Sequence, residues 1–208
     1  MKIVIASTNT GKIREYQEAF KDLKIDVVSL AEFFPDKIPE IEETGKTFKE
    51  NALLKAKTYA EMIGEICLAD DSGLTVDCLN GKPGLFSHRF AVSPFNQDPD
   101  DNERNHVLLC LMQNNGFTLS NAQYHCAISL YNPNTQKDYT IKELCHGMIK
   151  NKPHGTNGFS FDPIFYLSEY NFQKTMADIS LEEKNKISHR GKAISKIKYF
   201  LSQIEKSR

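Results

Sequence analysis

Apolar residues in this chain fall into short runs broken by polar turns, and two periodicities alternate. Residues 2–6 form an apolar run that predicts a buried strand. After the polar stretch Ser7 to Lys12, Ile13, Tyr16, Phe20 and Leu23 recur at helical spacing. Residues 26–30 predict a second strand, and 35–45 a loop that carries the acidic run Glu40-Ile41-Glu42-Glu43. Thr47 followed by Glu50 has the form of a capping box. The helix it opens runs to about Gly64, with Phe48, Ala52, Ala56, Tyr59, Ala60 and Ile63 inward. Residues 66–69 predict a third strand and 74–79 a fourth, which the turn pair Asn80-Gly81 closes. Residues 85–99 read as irregular, and 100–114 as a helix burying Val107, Leu108, Leu111 and Met112. Two strands, 124–131 and 137–145, are joined by Asn132-Pro133-Asn134-Thr135 as a hairpin. A Gly/Pro loop covers 152–160, and a second capping box, Ser180 with Glu183, opens a helix. A last helix from about Arg190 buries Ile194, Ile197, Leu201 and Ile204, and the polar end 206–208 is expected to fray. The sum is mixed α/β, without repeats or a linker.

Composition narrows the function. At 208 residues the chain is expected to be a single domain over 1–208, with room for two lobes around a cleft. The hydrophobic share of 40% and charged share of 25% are those of a soluble globular protein. A net charge of -1 gives no basic field for a nucleic-acid polymer, although a small anion needs only a local positive pocket. The five cysteines, Cys67, Cys78, Cys110, Cys126 and Cys145, are odd in number and lack CxxC spacing. That argues against a disulfide framework or a zinc site and for a reducing compartment. No run is long enough for a signal peptide or a membrane span, so no membrane partner is expected and the cytoplasm is the expected location.

Four constellations carry candidate chemistry. The first is Asp70-Asp71-Ser72-Gly73, where two adjacent carboxylates end an apolar run. Their repulsion requires a cation, a donor or a proton. Mg²⁺ suits them, as a hard ion that prefers carboxylate and water oxygens; a surface turn is the plainer reading. The second is the loop Ser7-Thr8-Asn9-Thr10-Gly11-Lys12 between a strand and a helix start, where amide groups and the helix dipole favour an anion. It is not a Walker A loop, because Ala6 and Ile13 stand where that motif needs Gly and Ser or Thr. The acids of the first constellation belong, with Glu42, Glu43 and Glu50, to a carboxylate set that could share a divalent ion, although capping explains Glu50 and solvation the acidic loop. The third is Gly155-Thr156-Asn157-Gly158-Phe159-Ser160-Phe161-Asp162-Pro163, which could stack on a purine or be a loop pinned into the core. In the fourth, Lys184, Lys186, His189, Arg190 and Lys192 gather near a helix start, where cations oppose the dipole, so either a bound anion or a solvated face accounts for them.

These blocks, taken in order, resemble the inosine triphosphate pyrophosphatase family, which includes the bacterial dITP/XTP pyrophosphatases. The resemblance runs through Ser7 to Lys12, Glu42 to Ala52, Ala69 to Leu74, Pro83 to Ser87, Gly158 to Phe165 and Ser188 to Gly191. It implies an α/β fold with an elongated, twisted mixed β-sheet, flanking helices and two lobes around a central cleft, usually as a homodimer. It also implies Mg²⁺-dependent hydrolysis of dITP, ITP or XTP between the α and β phosphates, which clears deaminated purines.

Carried over by position, Asp71 is the general base and a Mg²⁺ ligand, Glu42 is the other ligand, and Asp70 and Glu50 are helpers. Ser7, Thr8, Asn9, Thr10, Gly11, Lys12 and Ser72 hold the triphosphate. Lys184, His189 and Arg190 contact phosphate and base, and Phe159, Ser160, Phe161 and Asp162 form the base pocket. Where the family usually reads Phe-Gly-Tyr-Asp, this chain has Phe159-Ser160-Phe161-Asp162, and His88 stands in place of Ala. A nucleotide-binding regulator without catalysis is the alternative of a different class.

Overall fold

The structure, a computed structural model, describes residues 1–93 and 95–206, apart from the side chains of residues 205 and 206. The end expected to fray, 206–208, lies at and beyond that limit. The described elements are β1 (Lys2–Ile5), α1 (Thr10–Phe20), β2 (Asp26–Ser29), α2 (Phe48–Ile63), β3 (Cys67–Val76) and α3 (Asp101–Asn114). They continue with β4 (Leu119–Asn132), β5 (Lys137–Lys150), β6 (Phe165–Leu167), α4 (Leu181–Ile187) and α5 (His189–Lys206). The strands form one mixed sheet in the order β2-β1-β3-β4-β5-β6. β1 pairs in parallel with β2 and β3, while β5 and β6 are antiparallel.

The chain divides into two compact units. One comprises Met1–Asp71, Cys126–Glu143 and Lys192–Arg208, the other Ser72–His125 and Leu144–Gly191. In the first unit the two-residue period of β1 sorts the core. Ile3 and Ile5 pack with Tyr16 and Phe20 of α1 and with Ala193, Ile194, Ile197 and Leu201 of α5. Val4 and Ala6 pack with Ala56, Tyr59 and Ala60 of α2. Tyr16 and Phe20 are wholly buried, and truncating such a phenylalanine to Ala costs about 3–5 kcal/mol. In the second unit Leu74 and Val76 of β3 meet Leu108, Leu109 and Met112 of α3, Tyr124 of β4 and Phe161, Phe165 and Leu167. All five cysteines are free, and Cys67, Cys126 and Cys145 are buried.

Two expectations are corrected, and one strand went unread. The strands expected at 66–69 and 74–79 join into one ten-residue strand, β3, which ends at Val76 with 77–79 in a 3-10 turn, so Asp70-Asp71-Ser72-Gly73 is not a turn. Turn-forming residues gave way because partners elsewhere in the sequence satisfy the two carboxylates within the sheet. On α3 the buried face is Asn105, Leu108, Leu109 and Met112, while Leu111 is exposed and Val107 only half-buried, because the helix presents a neighbouring i, i+3, i+4 row. β6 is three residues long and follows Pro163, too short for a periodic signal. The Asn80-Gly81 turn does form: both residues have positive φ, 53° and 81°, as a tight turn between oppositely directed segments requires.

The loop 152–158 docks on residues 175–179 through Asp178. Its carboxylate meets His154 Nδ1 at 2.5 Å and accepts from the Thr175 amide at 2.7 Å and the Thr175 hydroxyl at 3.0 Å. Partial burial pulls the Asp178 carboxyl upward, but the Thr175 and His154 bonds outweigh it and hold the group below the usual carboxylate range. Stability from a depressed carboxylate is present above its unfolded pKa and lost as pH falls through the folded one. Asp178→Asn should therefore lower Tm at pH 7 by about 2–4 °C, the equivalent of roughly one hydrogen bond. The gap should close as pH falls below the usual carboxylate range; a gap that is constant with pH would refute this account.

Candidate active site

In the first unit the alternation of β3 separates the two adjacent acids. Asp70 shares a face with Leu68, toward α1, and Asp71 shares the opposite face with Cys67 and Ala69, toward α2. Each has its own lysine. Lys12 Nζ of α1 lies 2.9 Å from Asp70, and Lys55 Nζ of α2 lies 3.7 Å from Asp71 and 2.7 Å from Glu43. Asn51, one helical turn before Lys55 and 1% exposed, donates its amide to Asp71 at 3.1 Å. Its carbonyl oxygen accepts from the Gly45 amide at 2.8 Å. Gly45 permits that approach, since a Cβ there would stand 2.5 Å from the Asn51 oxygen.

Burial pushes the Asp71 carboxyl above the usual range, aided by Glu43 and opposed by Lys55 and Asn51. Burial works against charge on Lys55, yet Asp71, Asp70 and Glu43 outweigh it and hold the ammonium above its usual value. A buried carboxylate with raised proton affinity, held by a fixed donor, is equipped to take a proton from water. Glu42 and the span Thr8 to Gly11 are exposed, while Ser7 and Lys12 are half-buried. Asn9 caps α1 by accepting from the Lys12 amide at 3.0 Å. Thr47 caps α2, but Glu50 accepts from the Lys46 amide at 2.6 Å rather than closing the box on Thr47.

The second unit gathers another set around Asp162, which is 3% exposed. One of its oxygens accepts from Lys184 Nζ at 2.6 Å and the Phe159 amide at 2.9 Å, and the other from the Tyr124 hydroxyl at 3.3 Å. Burial, then Asp162, push the Tyr124 phenol well above its usual range, so it stays a donor. The Phe159 ring is half exposed, with Lys184 Nζ 4.3 Å and the Arg190 guanidinium 5.7 Å from its centroid. Arg190 donates to Ser72 Oγ at 3.1 Å, and the His189 ring stacks on Tyr124 at 4.7 Å. Phe161 is buried in the core.

The cationic stretch 184–192 is not one helix start, as the sequence suggested. Lys184 and Lys186 occupy the last turn of α4, where the dipole favours them, and Ser188 breaks the chain before α5. His189 and Arg190 open α5, and both are buried.

A family model described as the Ham1 family matches residues 3–200. The chain belongs to the Ham1 family. A dITP/XTP pyrophosphatase of Bacillus anthracis is 43% identical over 197 residues, covering 94% of each chain. Another from Desulforamulus reducens is 42% identical over 204 residues, covering 98% of this chain and 97% of its own. A solved HAM1 protein from Coxiella burnetii superposes with TM-score 0.88 at 39% identity, over 98% of this chain and 99% of its own. The Staphylococcus aureus Ham1 protein gives TM-score 0.83 at 38% identity, over 98% and 99%. These relatives carry the mixed α/β fold read from the pattern.

Sequence reasoning left three residues of the Ham1 chain without roles, Asn51, Lys55 and Tyr124, and placed Glu43 in the carboxylate set without its lysine partner. Asn51 and Lys55 lie four apart among inward residues of α2, which was the available signal. Among the described residues no group of three or more His, Cys, Asp or Glu is gathered as a metal cage. Lys55 carries the neutralising charge for Asp71 and Glu43. Lys55→Met should therefore destabilise this Ham1 chain by about 3 kcal/mol, as expected when a buried charge loses its partner. Adding Asp71→Asn should restore part of that loss. Urea denaturation of the single and double variants would check it; additive losses would disprove the coupling.

Proposed function

We propose that this chain hydrolyses non-standard purine nucleoside triphosphates, dITP, ITP and XTP, at the α–β phosphoanhydride. The products are a nucleoside monophosphate and pyrophosphate, and the role is removal of deaminated purines from the nucleotide pool. The reaction class is that of the family, a hydrolase acting on nucleoside triphosphates. The observation that carries the reading is Asp71: a buried carboxylate of raised proton affinity, fixed by Asn51 and faced by Lys55.

In this mechanism Asp71 takes the proton from the attacking water, and Asn51 fixes the accepting oxygen. Lys12, Lys55 and the amide-rich start of α1 compensate phosphate charge, with Ser7 to Gly11 and Ser72 holding the triphosphate. Lys55 ties the acidic loop at Glu43 to Asp71, and the exposed Glu42 next to it joins Asp71 as an oxygen donor without a soft ligand, which fits a hard cation that keeps most of its waters. Mg²⁺ would be held by Asp71 and Glu42, and when bound it supplies charge neutralisation and a more acidic water. Phe159 offers a half-exposed ring for stacking on the base. Lys184 and Arg190, beside that ring, only donate hydrogen bonds. They match a purine 6-oxygen and leave a 6-amino group unserved, a mismatch that supports large discrimination. His189, held by stacking on Tyr124 next to Arg190, would join them in contacting phosphate and base.

We further propose a cytoplasmic homodimer. Exposed Phe86 and Phe95 supply apolar surface for a second copy. Sedimentation of the purified chain tests the dimer, and a single-chain mass overturns it.

The decisive assay supplies dITP or dATP with Mg²⁺ and quantifies nucleotides, pyrophosphate and orthophosphate separately. The expected result is dIMP plus pyrophosphate, dATP nearly untouched, and loss of turnover in Asp71→Asn without loss of fold. Release of orthophosphate, equal use of dATP, or tight dITP binding without products would each overturn the reading, the last in favour of a regulator.

A further inference from the structure

We infer that Asp101 and Asn105 of α3 are positioning residues for nucleobase recognition, gripping the Ser160 backbone so that Phe159 presents its ring; this rests on the base-loop reading above. Ser160 sits at φ +58°, in the left-handed region that residues other than glycine enter only against steric strain. Two side chains of α3 hold it there. Asp101 accepts from the Ser160 amide at 2.7 Å, and Asn105 donates to the Ser160 carbonyl at 3.1 Å. The peptide groups on both sides of the strained residue are thereby fixed.

The grip has its own support. Arg104 donates to the other Asp101 oxygen at 2.9 Å. The start of α3 is set by a capping box: Asp100 accepts from the Glu103 amide at 2.8 Å, and Glu103 from the Asp100 amide at 2.7 Å. Asn105 is 6% exposed, so its amide has little freedom to swing into solvent. Capping accounts for Asp100 and Glu103 but not for Asp101 and Asn105, whose side chains reach 59 and 55 residues along the chain. On the other side of the loop, Asp162 holds the Phe159 amide, and a Cβ on Gly158 (φ +83°) would collide with that carboxylate. Phe161 is anchored in the core. Phe159 is thus an exposed ring on a backbone pinned before and after it, which lowers the ordering cost of stacking a base.

Amide exchange of residues 158–162 in the nucleotide-free full chain reads the grip without substrate. Asp101→Ala should speed exchange there about tenfold while both cores stay unchanged. With dITP, Asp101→Ala should raise KM about tenfold, one charge-assisted hydrogen bond, and alter kcat less. Asp101→Asn, which keeps an accepting oxygen, should fall between. Ser160→Gly removes the need for the grip, so the double variant Asp101→Ala/Ser160→Gly should regain most of the KM. Unchanged exchange in Asp101→Ala overturns the inference. So does an equal KM loss with and without Ser160→Gly. A wild-type chain inert toward dITP overturns the function itself, and it is separable from a failed grip because the exchange measurement needs no substrate.

Discussion

Two adjacent carboxylates inside a continuous strand constrain the first unit more than any other feature. The two-residue period of a strand sends Asp70 and Asp71 to opposite faces. Each face is then obliged to supply a cation, and each does so from the helix that covers it, Lys12 from α1 and Lys55 from α2. Residues that serve those lysines are committed in turn. Asn51 must sit one turn before Lys55, and Gly45 must lack a side chain for Asn51 to bridge it to Asp71. Buried ion pairs of this kind contribute little net stability, because desolvation offsets the attraction. Their retention in a sheet that could hold apolar residues is therefore better explained by chemistry.

The second unit is organised in the same manner around a single acid. Asp162 draws together Lys184 of α4, the Phe159 amide and the Tyr124 hydroxyl of β4. A segment that reads as a continuous basic run is sorted by the break at Ser188. Lys184 and Lys186 fall at the end of α4, where the dipole favours them, and His189 and Arg190 turn inward at the start of α5. The helix dipole and the interior divide between them a set of charges that local rules alone would place badly.

Much of this was legible in the order of residues. The hydrophobic periods placed β1, α1, β2, α2, α3 and α5 near their observed bounds, because those elements bury one face against a neighbour and the period survives in sequence. Caps are local interactions, so Thr47 and Ser180 were legible as caps, and the Ser180–Glu183 box closed; the box of Asp100 with Glu103, equally local, went unread. The Asp70-Asp71 pair and the aromatic loop stood out because acids after an apolar run, and aromatics among glycines, break the ordinary pattern.

Other features depended on partners distant in sequence. Local propensity favoured a turn at Asp70 to Gly73, and the strand won because Lys12, Asn51 and Lys55 satisfy the acids from 58, 20 and 16 residues away. The left-handed Ser160 is held by side chains more than fifty residues earlier. The sequence by itself determined the element types, the caps and which residues carry charge or rings, since each follows from neighbours a few positions apart. Only the tertiary structure decided which lysine meets which acid and which backbone is held strained, because those are pairings across long loops that no local period encodes.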